Sequence, residues 1–185
     1  FFIPFNIFFY LKPNHLNNIL PNMQTNYEKV VDFNRSFGVP IADTVQNDIF
    51  TRDPKLVDLR LSLITEEVGE LKEAIENHDM TETIDALADI LYVVYGAGAS
   101  FGIDLDKAMG LVHESNMSKV CRNREVAEKT VEWYKQQFAE NKQPYDSPAM
   151  RPDQVDKEKY VVYNESTGKV LKSIEYNPVS FKSMM

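Results

Sequence analysis

Between residues 80 and 101 the chain reads MTETIDALADILYVVYGAGASF, a helix-length segment that is apolar on nearly every side yet carries Asp85 and Asp89 in its interior. A helix with no polar face has to be covered all round, so it belongs in the middle of a helical bundle. At roughly 100° per residue Asp85 and Asp89 share one face with Tyr92 and Gly96. An ionised carboxylate buried alone is strongly unfavourable, so the two aspartates are expected to be paired, protonated or bound to a cation.

The preceding helix supplies more acid. Asp53-Pro54 opens it with a capping acid and proline at the first helical position. Val57, Leu61, Ile64, Val68, Leu71 and Ile75 then form an apolar stripe with helical spacing. Glu67 and Glu70 flank that stripe and Glu66 lies further round. Asn77-His78-Asp79 is a short break, which makes the next helix antiparallel and lets the two acidic clusters face each other. Five carboxylates with no cysteine or histidine among them favour a hard, oxygen-seeking cation, Mg²⁺ first with Mn²⁺ as its substitute. Mg²⁺ held by carboxylates commonly works on substrate phosphates, and the reaction this arrangement suits is hydrolysis of a phosphoanhydride. Glu73, Glu76 and Glu82 read as solvated surface, and Tyr92, Tyr95 and Trp133 as core aromatics.

Around these helices the punctuation is regular. Thr25 with Glu28 is a capping-box pattern ahead of YEKVVDFNRSF, which Gly38 and Pro40 stop. Gly102 closes the apolar helix and Asp104 opens LDKAMGLVHESNMSKV. EVAEKTVEWYKQQFAE reads as a charged amphipathic helix, followed by a loop through Pro144, Pro148 and Pro152. YVVY and KVLKSI, with NESTG between them, predict a β-hairpin whose turn uses Gly168. The expected organisation is therefore a metal-binding helical bundle over 23–122 and an appendage of helix, loop and hairpin over 123–185. Residues 1–22 contain no acid, alanine or glycine and are rich in Phe, Asn, Ile and Pro. They read as a non-native or disordered leader, too short and too interrupted to span a membrane, with Met23 as the natural start.

A formal charge of −8 and a pI near 4.9 argue against nucleic acid as a partner. The single cysteine, Cys121, excludes an intrachain disulfide framework and fits a reducing, cytoplasmic setting, with no membrane partner expected.

Three segments together, EEVGE, DALADILYVVYGAGASFGIDL and VHESNMSK, resemble the all-α NTP pyrophosphohydrolases of the MazG-like superfamily. The chain looks closest to the phosphoribosyl-ATP pyrophosphohydrolase-like branch. The similarity covers roughly 25–122 and resumes at STGKVLKSIEYNP. The resemblance implies an all-α antiparallel bundle that uses Mg²⁺ to cleave a nucleoside triphosphate between its α and β phosphates, giving NMP and pyrophosphate. It places metal ligands on Glu66, Glu67, Glu70 and Asp89, with Glu66 and Glu67 as the catalytic acids, and phosphate contacts on Asn116 and Lys119. The family's second motif is ExxD, but the residue three before Asp89 is Ala86. Asp85, one position earlier, is the candidate replacement ligand. A homodimer or homotetramer is expected, because four short helices bury their stripes poorly alone. A dUTP- or dCTP-directed enzyme, a phosphoribosyl-ATP-directed enzyme, and a non-catalytic regulatory bundle are the alternatives.

Overall fold

The computed structural model describes residues 24–185. The expected leader over 1–22 lies outside them. The described chain is mostly helical, in two compact units that divide between Asp104 and Leu105.

The first unit holds α1 (Asn26–Ser36), α2 (Ile49–Arg52), α3 (Pro54–Glu76) and α4 (Met80–Phe101). The caps read from sequence are made. The Thr25 side chain accepts from the Glu28 amide while the Glu28 carboxylate accepts from the Thr25 amide. Asp53 accepts from the Leu56 amide, and Asp79 accepts from the amides of Thr81 and Glu82. These bonds satisfy donors that a helix start otherwise leaves open. The turn between α3 and α4 is closed by His78 in the left-handed region, φ 56°. That tight reversal sets the two long helices side by side and antiparallel.

α1 lies on α4, where the Phe33 and Tyr92 rings meet edge to face at 5.4 Å. The segment after α1 crosses the far end of α4. The Ala42 amide donates to the Ala99 carbonyl, the Gln46 amide to that of Phe101, and the Ser100 hydroxyl to that of Pro40. Gly102 ends α4 at φ 74°, and a Cβ there would sit 1.9 Å from the Thr44 carbonyl oxygen. Only glycine meets both the left-handed backbone and that close approach.

The expected face of α3 needs correction. Its side toward α4 carries Arg60, Ile64, Glu67, Leu71 and Ala74, with Arg60 and Ala74 buried. Leu61, Val68 and Ile75, three members of the predicted stripe, are each at least half exposed. On α4, Met80, Ile84, Leu87 and Leu91 are exposed likewise. α4 is the one helix among the described residues long and apolar enough to cross a membrane, although each aspartate at a bilayer centre costs about 3 kcal/mol. In this chain the helix is therefore not covered on all sides.

The second unit contains α5 (Leu105–Met117), α6 (Arg124–Ala139), β1 (Pro148–Pro152), β2 (Tyr160–Asn164) and a short 3₁₀ turn at Lys182–Met184. The sequence reading carried the bundle to 122, but α5 groups with the C-terminal unit. The Ser115 hydroxyl donates to the Asn177 carbonyl at 2.9 Å, and the Asn177 amide donates to Ser118 Oγ at 2.9 Å. Cys121, Val126, Ala127, Tyr134, Val162 and Leu171 form its core.

The hairpin also differs from expectation. YVVYN is a strand, but its antiparallel partner is PAMRP, with Pro148 opposite Asn164 and Pro152 opposite Tyr160. Prolines at the two ends of a strand remove donors where the ladder can spare them. KVLKSI adds only one bridge, Tyr163 to Val170. The expected turn is present, with Gly168 at φ 69°. It is braced by the fully buried Asn164, whose amide donates to Asp146, Ser166 and Thr167.

Candidate active site

The antiparallel pairing of α3 and α4 brings the predicted carboxylates together around Glu67. This side chain is half-buried, and its Oε2 is a buried acceptor with no donor among the described residues. Its proton affinity is raised, first by burial and then by Glu70, Asp89, Glu66 and Asp85, in that order. The four other acidic residues singled out from sequence thus all bear on Glu67. No described lysine, arginine or histidine enters that list.

Asp85 and Asp89 were expected to be buried, but both are exposed in the chain. The reason is the open apolar side of α4: Leu87 and Leu91, which flank Asp89, are about half exposed themselves. Between the two aspartates it is Ala86 that turns inward, 3% exposed. The position at which the resembled family carries an acid is therefore in the α3–α4 seam. Asp85 begins one residue away from it and is the weakest of the four influences on Glu67.

Among the described residues no group of three or more acidic, histidine or cysteine side chains is closed into a ligating arrangement. The fit to a divalent cation rests instead on the orphaned, half-buried Glu67 oxygen and on the oxygen-only donor set. A hard cation satisfies both. Glu66, Glu67, Glu70 and Asp89 are the residues that could hold it, with Asp85 the weakest influence on Glu67.

Asn116 and Lys119 lie in the second unit and pair with each other. Lys119 Nζ donates to Asn116 Oδ1 at 2.8 Å. That bond occupies one of three ammonium donors.

Sequence reading missed two buried polar residues of the first unit. Arg60 is 6% exposed and Asn34 is 3% exposed. Arg60 had a visible signal, a cation on the α3 side that carries Ile64 and Leu71. Asn34 had one too, four residues after Val30 on the inner side of α1.

The class so described is that of a mostly helical protein whose central antiparallel helices carry acidic residues near a half-buried carboxylate oxygen. The family model for phosphoribosyl-ATP pyrophosphohydrolase matches residues 30–116. That stretch holds every one of the five carboxylates and ends at Asn116. The match is consistent with the all-α NTP pyrophosphohydrolases of the MazG-like superfamily and suggests a pyrophosphohydrolase-type activity. The chain is also similar to Uncharacterized protein L479 of Acanthamoeba polyphaga mimivirus, 29% identical over 87% of this chain and 96% of that protein.

Proposed function

We propose that the protein is a Mg²⁺-dependent nucleoside triphosphate pyrophosphohydrolase that cleaves the α–β phosphoanhydride to give NMP and pyrophosphate. The observation that carries the reading is the convergence of Glu66, Glu70, Asp85 and Asp89 on Glu67, inside the matched family stretch. When bound there, Mg²⁺ supplies charge neutralisation for the phosphate oxygens. Glu66, Glu67, Glu70 and Asp89 hold the ion. Glu66 and Glu67 also orient the attacking water and accept its proton. Asn116 and Lys119 are proposed to contact phosphate.

The first unit is proposed to work as a homodimer or homotetramer. Its buried apolar residues are Val30, Ile49 and the alanines 74, 86, 97 and 99. Leu61, Val68, Ile75, Met80, Ile84 and Leu91 of α3 and α4 are each at least half exposed, and grouped apolar exposure of this kind marks an association face. A cytoplasmic setting without membrane or nucleic acid partners is part of the same reading.

A panel of NTPs and dNTPs, including dUTP and dCTP, with phosphoribosyl-ATP alongside, tests the proposal. Pyrophosphate release from at least one substrate is expected with Mg²⁺ and is expected to cease with EDTA. A panel with no turnover in Mg²⁺ or Mn²⁺ would favour the non-catalytic bundle, for which Ala86 in place of an acid is the specific observation.

A further inference from the structure

Where α1, α3 and α4 meet, the first unit buries a positive charge with nothing to answer it. Arg60 is 6% exposed, and its Nε and Nη2 have no partner among the described residues. Burial lowers its hold on its proton, and no neighbouring acid offsets that effect. Gly96 on α4 stands opposite: a Cβ placed there would lie 3.4 Å from Arg60 Nη1 and 4.0 Å from Val30 Cγ1. One turn further along α1, the buried Asn34 also has an unpartnered nitrogen, Nδ2. Among the described residues the junction therefore holds a positive charge and three buried donors without a partner.

A buried charge left uncompensated costs several kcal/mol. Water can accept the N–H bonds but cannot neutralise the guanidinium, so the missing group is an oxygen-bearing anion. Arg60 precedes Glu67 by two turns on the same side of α3, about 10 Å along the helix axis. A polyphosphate held at the acidic cluster has the length to extend toward it. A guanidinium also matches phosphate oxygens with a two-pronged set of donors, which an ammonium does not.

We propose that Arg60, with Asn34 one turn beyond Val30 on α1, is an anion-binding subsite that takes the phosphate oxygens of the substrate, and of the pyrophosphate product, lying beyond the acidic cluster. The proposal rests on the pyrophosphohydrolase reading for the identity of the anion. Because Nε and Nη2 are covered, the guanidinium meets its ligand after its own side chain or α1 shifts. The uncompensated charge favours that movement.

The test uses the full chain as wild type, Arg60→Met and Arg60→Lys, with inorganic pyrophosphate as the probe in the presence of Mg²⁺. Melting temperature without ligand, pyrophosphate affinity by calorimetry and oligomeric state are measured for each. Arg60→Met is expected to melt at or above wild type and to bind pyrophosphate about 30-fold more weakly, as loss of hydrogen bonds from a charged donor implies. Arg60→Lys, which keeps the charge and loses the fork, is expected to bind about tenfold more weakly. If Arg60→Met does not fold, Arg60→Lys decides. Affinities within about threefold of wild type in the folded variants, absence of pyrophosphate binding by wild type, or a change of oligomeric state with binding intact would each overturn the subsite. Pyrophosphate binding that depends on Arg60 in a protein that hydrolyses no nucleotide would sink the hydrolase reading and leave this one standing. Wild-type turnover and binding in both variants would do the reverse.

Discussion

Asp89 and Asp85 differ in their hold on Glu67. Asp89 ranks just after Glu70 among the acids that raise the Glu67 proton affinity, and Asp85 ranks last. If proximity to Glu67 measures proximity to the bound cation, Asp89→Ala loses activity on the order of a hundredfold or more, and Asp85→Ala about tenfold. Removing either charge relieves repulsion, so melting temperatures in EDTA should hold or rise in both variants. A steep loss of stability on Asp89→Ala would make it a structural partner instead. Ala86 adds a third arm. Because it points into the seam, Asp85→Ala with Ala86→Glu delivers an acid to the α3 side of α4 and should recover part of the lost turnover. The extra side-chain volume costs about 1–3 kcal/mol of stability. Turnover against Mg²⁺ concentration, with melts in parallel, separates these outcomes.

Among the elements, the Asn164 turn is the one whose integrity depends most plainly on a charge. The Asp146 carboxylate accepts hydrogen bonds from the Ser166 hydroxyl, the Asn164 amide and the Ser147 hydroxyl, which pull its pKa down to about 2. A carboxylate held below its unfolded value near 3.9 contributes stability that is present above that value and lost as pH falls through the folded one. Asp146→Ala should therefore lower the melting temperature of the second unit at neutral pH, and the gap from wild type should close between about pH 4 and pH 2. Trp133, the chain's one tryptophan, lies in α6 against Tyr134 and reports that melt. No narrowing of the gap on acidification would remove Asp146 from the account. This turn also shows how far the sequence could be read. Gly168 and the caps at Thr25, Asp53 and Asp79 were legible because each is a contract between residues a few positions apart. β2's true partner was not, since PAMRP lies across a loop and reads locally as proline-punctuated coil. The antiparallel pairing of α3 and α4 was legible from helical spacing and a short turn. Which side of α3 turns to α4 was not, because Val57, Leu61 and Ile64 all lie within one broad apolar arc and only tertiary contact chooses among them.

At the scale of the whole molecule the two units are built differently. The five largest fully buried side chains, Leu171, Val162, Asn164, Thr130 and Cys121, all belong to the second unit. The first unit's interior is mostly alanine and glycine, while Leu61, Met80, Ile84 and Leu91 stand more than half exposed. We expect the chain to run as a dimer or tetramer by light scattering, and Leu61→Glu with Leu91→Glu to shift it toward monomer and to lower the melting temperature together. A wild-type monomer at micromolar concentration would refute the association face. The second unit carries a different consequence. Cys121 is fully buried, tied by backbone hydrogen bonds in both directions to Tyr160, with its sulfur 3.7 Å from Thr130 Oγ. As the chain's one thiol, it is silent to alkylating reagents while that unit stays closed. The rate at which a thiol reagent in excess consumes it therefore counts how often the C-terminal unit breathes open, a clock for local unfolding that needs no label and no mutation.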